Sequence, residues 1–420
     1  MISVEQHLDR ILSSIERLQA RSVPLPDASG CVLAEDVVAT LDLPAFTNSA
    51  MDGYAVRAAD CAQATEEAPV TLEVAGEIAA GDQGDLALPA GQAMRIMTGA
   101  PVPEGADAIV PVEDTDGGTE RVQVRRAPEA GAFVRHQGED VQDGQVVMQA
   151  ENGDRGPLMI GPGRLALAAA TGSTSLTVYP KPRVAVLSSG DELVPAGTRP
   201  GPGQIVDSNS LMLTSLVEAA GAVAAEPVRV RDEPEAIRAA LRDAADDADL
   251  VITTGGVSMG AYDTIKAVLK ESGEVQFDTV AMKPGSPQGF GMLQRTDGGT
   301  TPAFTLPGNP ISALVSFHVF VLPALGRMSG TQGGRSASWP PPGFTTHAGE
   351  DWPSVKGKVE LTRVYIDGRW GRRSGGQGSH QLGAMASGTA IAVIPASMDR
   401  VREGDTLHCI RLLGAGTPRP

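Results

Sequence analysis

Leu250-Val-Ile-Thr-Thr-Gly-Gly-Val-Ser-Met-Gly260 is an apolar run that ends in a glycine-rich turn. The same pattern recurs on either side of it. Val184-Ala-Val-Leu187 leads into Ser188-Ser-Gly-Asp-Glu192, Val280-Ala-Met282 into Lys283-Pro-Gly-Ser-Pro287, and Ala303-Phe-Thr305 into Leu306-Pro-Gly-Asn-Pro310. Between these runs lie helical stretches, Asn209 to Ala220 and Asp232 to Ala245. The second opens on Asp232-Glu-Pro-Glu235, with a cap, an early proline and an acid where a helix N-terminus favours them. Strands alternating with helices predict an α/β sheet covered on both faces. In such a sheet the carboxyl ends of the strands share one edge, so glycine turns repeated there line a single crevice where backbone N–H groups reach an anion.

The polar residues on these turns sharpen the reading. Asp191 and Glu192 ride on the first turn, Ser258 and Asp263 on or after the second, Lys283 on the third and Asn309 on the fourth. Carboxylates in a phosphate crevice repel the ligand unless a cation lies between them, which points to Mg²⁺ held by Glu192 and Asp263 against phosphate oxygens. The plain alternative for each acid alone is a helix cap. Gly255, Gly256 and Ser258 would offer backbone and hydroxyl donors, Lys283 would offset phosphate charge, and Pro307 and Pro310 would shape their loop without entering the chemistry.

Outside this region the texture changes. A capping box, Ser3 with Gln6, opens a helix whose Leu8, Ile11, Leu12, Ile15 and Leu18 recur at helical spacing; packing or dimerisation is its expected role. From Pro24 to about Arg183 short alternating strands broken by Gly and Pro predict β-rich material, with polar turns at Asn48-Ser-Ala-Met-Asp-Gly-Tyr-Ala-Val56, Arg95-Ile-Met-Thr-Gly-Ala-Pro101 and Gly138-Glu-Asp140. A Gly-, Ser- and Pro-rich tract reads as a linker, and strands after it form a small β domain.

Composition bounds the function. The 420 residues exceed one core, and 51 acidic against 34 basic residues give a net charge of −17, which disfavours nucleic acid and anionic lipid. No apolar run is expected to reach the length of a membrane span, the N-terminus lacks a signal peptide's features, and a cytoplasmic location is expected. Cys31, Cys61 and Cys409 are too far apart in sequence for a C-x-x-C pair and read as buried or idle thiols, and His318 reads as a core residue.

Seven motifs in order, Asn48-Ser-Ala-Met-Asp-Gly-Tyr-Ala55, Ile96-Met-Thr-Gly-Ala-Pro101, Gly138-Glu-Asp140, Ser189-Gly-Asp-Glu192, Thr254-Gly-Gly-Val-Ser258, Lys283-Pro-Gly285 and Leu306-Pro-Gly-Asn-Pro310, resemble MoeA, the molybdopterin molybdenumtransferases, a family related to the gephyrin E domain. The resemblance implies an elongated homodimer of multidomain α/β plus β subunits. Domain I would comprise 1–44 and 142–178, an inserted β-rich domain II 45–141, a molybdopterin-binding α/β domain III 179–327, a linker 328–343 and a C-terminal β domain IV 344–415. It further implies a transferase that takes molybdate and adenylylated molybdopterin, cleaves the phosphoanhydride with a divalent metal and releases AMP. Asp52, Thr98, Asp140, Glu192, Asp232, Asp263, Lys283, Pro307 and Pro310 stand at the family's functional positions, and Asp52 would reach the crevice of a partner subunit. The family often has a second lysine where this chain has Ser286, so Arg363 and Arg183 are candidate substitutes; Ser379, in Gly378-Ser-His380, resembles a segment near the cleft. Two alternatives stay open: a molybdopterin adenylyltransferase, which shares the Thr-Gly-Gly loop, and a gephyrin-like scaffold. An adenylyltransferase is also a candidate partner protein.

Overall fold

In a computed structural model that describes residues 1–82, 87–150, 156–255, 264–332 and 339–415, the stretch from 183 to 328 forms the predicted α/β unit. Its seven-stranded sheet runs in the order Val223–Ala224, Arg183–Ser189, Leu250–Thr254, Thr300–Leu306, Pro287–Gln294, Val275–Thr279, with Val228–Val230 also pairing Arg183–Ser189. The first strands are parallel, and Pro287–Gln294 is antiparallel to both its neighbours.

Alternation along the strands explains why helices cover both faces. Val184, Val186, Leu250, Ile252, Phe304 and Leu306 pack with Leu213, Leu216 and Val217 of helix Ser208–Ala219 and with Ile311 and Leu314. Their neighbours Ala185, Leu187, Val251 and Ala303 pack the other way, onto Ile237 and Leu241 of helix Pro234–Asp247 and Ile265, Val268 and Leu269 of helix Thr264–Ser272.

Two expectations are corrected by the topology. Val280-Ala-Met282 is not a strand of this sheet: Met282–Lys283 pairs in parallel with Val359 and Glu360 of the C-terminal unit. The Lys283 turn nevertheless reaches the crevice edge, because it joins Val275–Thr279 to Pro287–Gln294, and the Thr279↔Pro287 end of that hairpin lies level with the carboxyl end of Thr300–Leu306. The second correction concerns the apolar segment after Pro310. Pro310–Met328 is a helical run of 19 residues with a mean hydropathy of 1.6, long and apolar enough to span a membrane, yet 83% of it is buried inside the protein as a core helix. A π-helical turn at Phe317–Val321 interrupts it, where His318 bonds Leu314 O through Nδ1 (2.8 Å) and accepts from Leu413 N at Nε2 (3.0 Å).

The first helix, Val4–Ser14, carries the predicted capping box and is amphipathic: Val4, Leu8, Ile11 and Leu12, followed by Ile15, are buried in the same core as Pro310–Met328. It therefore packs with the α/β unit. The β-rich part that follows contains a five-stranded sheet, Ala108–Pro111, Gly53–Val56, Gln92–Ile96, Val70–Ile78, Arg121–Val124, and a three-stranded sheet, Arg21–Pro24, Ser175–Tyr179, Val32–Leu33. At the C-terminus, Val359–Asp367 pairs with both Trp370–Arg373 and Ala390–Ile394, which closes a small barrel through Phe344–Ala348 and Thr406–Arg411. Cys31, Cys61 and Cys409 are all free and buried.

Candidate functional site

The parallel strands Arg183–Ser189, Leu250–Thr254 and Thr300–Leu306 deliver three glycine turns to adjacent positions on one edge. Their close approach is direct: a Cβ on Gly308 would lie 3.5 Å from the Gly255 Cα, and Gly255 N donates to Leu306 O at 3.2 Å. Asn209 ties these turns from beneath. Its Nδ2 donates to Thr254 Oγ1 and to Gly308 O, both at 2.7 Å. Asp207, the cap of the same helix, accepts from the hydroxyls of Ser188 and Ser210 at 2.7 Å each. These bonds tie the turns to the start of one helix, although Asn209 Oδ1 is buried without a partner among the described residues.

Glu192 stands at the rim, exposed, with its carboxylate folded over Gly190. Gly190 has a φ of +148°, which favours glycine, and a Cβ there would lie 2.4 Å from Oε2 of the exposed Glu192 side chain, which would have to swing aside. Asp232 follows Val228–Val230 to the same edge, where its backbone N–H reaches Asp191 Oδ1 at 3.5 Å. Among the described residues no group of three His, Cys, Asp or Glu side chains is set to hold a metal. Gly256, Ser258 and Asp263 lie outside the described residues.

A cavity of about 330 Å³ opens where the α/β unit meets the C-terminal barrel. Lys283, Pro307, Asn309 and Ser312 line it on one side, and Glu360, Gln377 and Ser379 on the other. Asn309 Nδ2 donates to Ser379 Oγ at 3.0 Å, and Ser379 O accepts from Ile311 N at 3.3 Å, in the first turn of the long helix that begins at Pro310. The positive end of that helix thus faces the cavity. Lys283 Nζ lies 3.6 Å from Glu360 Oε1.

Arg363 is 1% exposed on the barrel strand. It donates from Nη2 to Gly376 O and from its backbone N to Gln377 Oε1, while Nε and Nη1 have no partner among the described residues. Burial lowers its pKa. Arg183 does not join it: this residue begins its strand, at the edge opposite the crevice, and its guanidinium pairs with Asp247 at 2.7 Å. Ser286 also turns away, donating its hydroxyl to Val280 O at 2.7 Å.

Asp52 and Thr98 form a compact pair in the β-rich part. The Thr98 backbone N–H and hydroxyl both donate to Asp52 Oδ1 at 2.7 Å, and these bonds, the backbone one foremost, hold the carboxyl below its usual range. Gly53 beside it is required by space, since a Cβ there would lie 2.1 Å from Val110 O. Asp140 is exposed, with its backbone N–H on Leu43 O.

Comparison with known proteins covers the whole of this architecture. Residues 2–172 match the MoeA N-terminal region (domain I and II), residues 185–327 the probable molybdopterin binding domain, and residues 345–412 the MoeA C-terminal region (domain IV). Molybdopterin molybdenumtransferase 2 of Mycobacterium tuberculosis is 43% identical across 97% of this chain and 99% of its own length. The chain belongs to the MoeA family. The same organism's molybdopterin molybdenumtransferase 1 is 35% identical across 96% of this chain and 97% of its own length. The crystal structure of a MoeA protein from Pyrococcus horikosii superposes with a TM-score of 0.75 at 29% identity, covering 99% of this chain and 100% of that one.

Against this MoeA frame, the motifs found the glycine turns but missed half of the seam cavity. Glu360 and Gln377 carry no local signal. Glu360 lies in an ordinary strand, Val359–Asp367, and only its register opposite Lys283 brings it to the site.

Proposed function

We propose that this chain inserts molybdenum from molybdate into adenylylated molybdopterin, releasing AMP, as a transferase of molybdenum cofactor biosynthesis. The observation that carries the reading is the seam cavity. A half-exposed lysine, a helix N-terminus, an amide and a hydroxyl converge on it, next to glycine turns whose backbone comes close enough to cradle phosphate. Full-length kinship with two molybdopterin molybdenumtransferases supports the substrate class.

In this reading the Thr254-Gly255 and Leu306-Pro-Gly-Asn309 turns hold the pterin phosphates, and Lys283, Ser379 and Asn309 receive the molybdate oxygens. Arg363, buried with two nitrogens unpaired among the described residues, adds positive charge behind the Gly376-Gln377 loop. Mg²⁺ belongs to the proposal as a cation shared between Glu192, Asp263 and the substrate phosphates. Among the described residues no group of three His, Cys, Asp or Glu side chains forms a ready-made metal site.

Asp52, Thr98 and Asp140 enter the reading through a second copy of the chain. The hydrogen bonds of Asp52 and Thr98 stay inside the β-rich part, and exposed Val38, Leu41, Phe46 and Val146 offer that part an apolar surface for dimerisation. A cytoplasmic location and docking of an adenylyltransferase complete the proposal.

The test is AMP release from adenylylated molybdopterin with and without molybdate. Molybdate-dependent release by the native chain, reduced about 100-fold or more in Lys283→Ala, is expected. Folded Lys283→Ala protein with native turnover would remove the seam cavity from the reaction, and release of pyrophosphate from ATP and molybdopterin would favour an adenylyltransferase.

A further inference from the structure

We propose that Glu360 is an internal counter-anion of the seam cavity, a positioning residue that holds Lys283 in place and sets a low affinity for the incoming oxyanion. The inference rests on reading that cavity as the oxyanion site.

Register places the two side chains together. Met282–Lys283 pairs in parallel with Val359–Glu360, and Lys283 sits directly opposite Glu360. Oε1 of Glu360 lies 3.6 Å from Lys283 Nζ, at ion-pair rather than tight hydrogen-bond distance. The two partners are unequally placed: the lysine side chain is 53% exposed and the glutamate side chain 10%. The second carboxylate oxygen, Oε2, is buried without a partner among the described residues.

A carboxylate fixed this deeply, with one oxygen unpaired, is a costly feature for a pair whose only task is to join two units. Its other neighbours around the cavity, Asn309, Ser312, Gln377 and Ser379, are all neutral. The Lys283–Glu360 pair therefore contributes no net charge to the empty cavity. An entering dianion gains from the lysine and loses to the carboxylate, whether it displaces Glu360 from the ammonium or binds on the lysine's open side.

The consequence is an oxyanion site held below the affinity its donors could reach. Strong binding of the free substrate would not speed its conversion, because only interactions that grow toward the transition state do so. Glu360 keeps Lys283 placed while the cavity is empty and keeps the anion from being trapped.

This predicts the opposite sign from a structural role. Equilibrium dialysis of the full chain against molybdate alone, at low salt, should show Glu360→Gln binding on the order of tenfold tighter than native, the gain shrinking as salt rises. Glu360→Asp keeps the charge and should stay within about threefold of native. Glu360→Thr, neutral and suited to a strand, carries the same expectation as the glutamine if that variant does not fold. A folded neutral variant that binds molybdate no tighter than native, while Lys283→Ala binds more weakly, overturns the role of Glu360 alone. Equal binding by native and Lys283→Ala protein instead overturns the oxyanion reading of the cavity itself.

Discussion

Ser286 shows how one hydroxyl decides whether a position belongs to a site. Its Oγ donates to Val280 O and its own carbonyl accepts from Val280 N, both at 2.7 Å, so the residue closes the Lys283-Pro-Gly-Ser-Pro turn on itself. The resemblance to a Lys-Pro-Gly-Lys-Pro motif suggested a lost anion contact; local hydrogen bonding explains the serine without one. We expect Ser286→Lys to leave molybdate affinity within about twofold of native and to cost roughly 1 kcal/mol of stability for the broken bond. A molybdate titration at two salt concentrations checks this, and a gain of about fivefold that fades with salt would return position 286 to the anion site. The residues that motif reading located, Lys283, Pro307 and Asn309, all sit on turns where glycine and proline mark the chain. Glu360 left no such mark, because a glutamate in a strand reads as solvent-facing until the strand opposite it is known.

At the scale of elements, the N-terminal helix was legible in its spacing, and its destination was not. Periodicity identified Leu8, Ile11, Leu12 and Ile15 as one face, but that face covers a helix from the far end of the chain. Leu8→Ala should destabilise the α/β unit by about 2–5 kcal/mol in urea unfolding, whereas Leu211→Ala, at a position 65% exposed, should change little. On the first helix His7 is buried against Phe320, with Arg10 and Asp278 beside it. Burial, then the Arg10 guanidinium, pulls its pKa down from 6.5 to about 4 against the upward pull of Asp278. The unfolded chain therefore takes up this proton first, so the stabilisation is complete above about pH 6.5 and is lost as pH falls toward about 4. The unfolding midpoint of native protein should drop more steeply across that window than that of His7→Gln. Equal slopes would show that His7 does not carry the acid sensitivity.

At the scale of the whole molecule the candidate site residues fall in two groups, one at the seam cavity and one in the β-rich part. Lys283, Asn309 and Ser379 meet at the seam, and the Asp52–Thr98 pair keeps its bonds within the β-rich part. Mixing Asp52→Ala and Lys283→Ala subunits, each inactive alone, should restore part of the activity if a homodimer composes each site from two copies. A verified mixed dimer without recovery would place both residues in one subunit's site, or Asp52 outside it. The sequence displayed the α/β alternation plainly because each strand and its turn are local. The seam was hidden for the converse reason: its two halves are joined by the register between Lys283 and Glu360.

The greasy helix Pro310–Met328 has a consequence for how the protein is made. Its cover includes the first helix of the chain, with Leu18 N bonded to Met328 O at 2.9 Å and Arg327 reaching Ile15 O across 312 positions. During translation at about 5–20 residues per second, that first helix waits roughly 15–60 s with its apolar face bare before its partner leaves the ribosome. The partner then emerges as a segment that is long and apolar enough, by length and composition alone, to cross a membrane. Covering of this segment by the first helix thus joins two stretches made far apart in time, and until they meet both carry uncovered apolar surface.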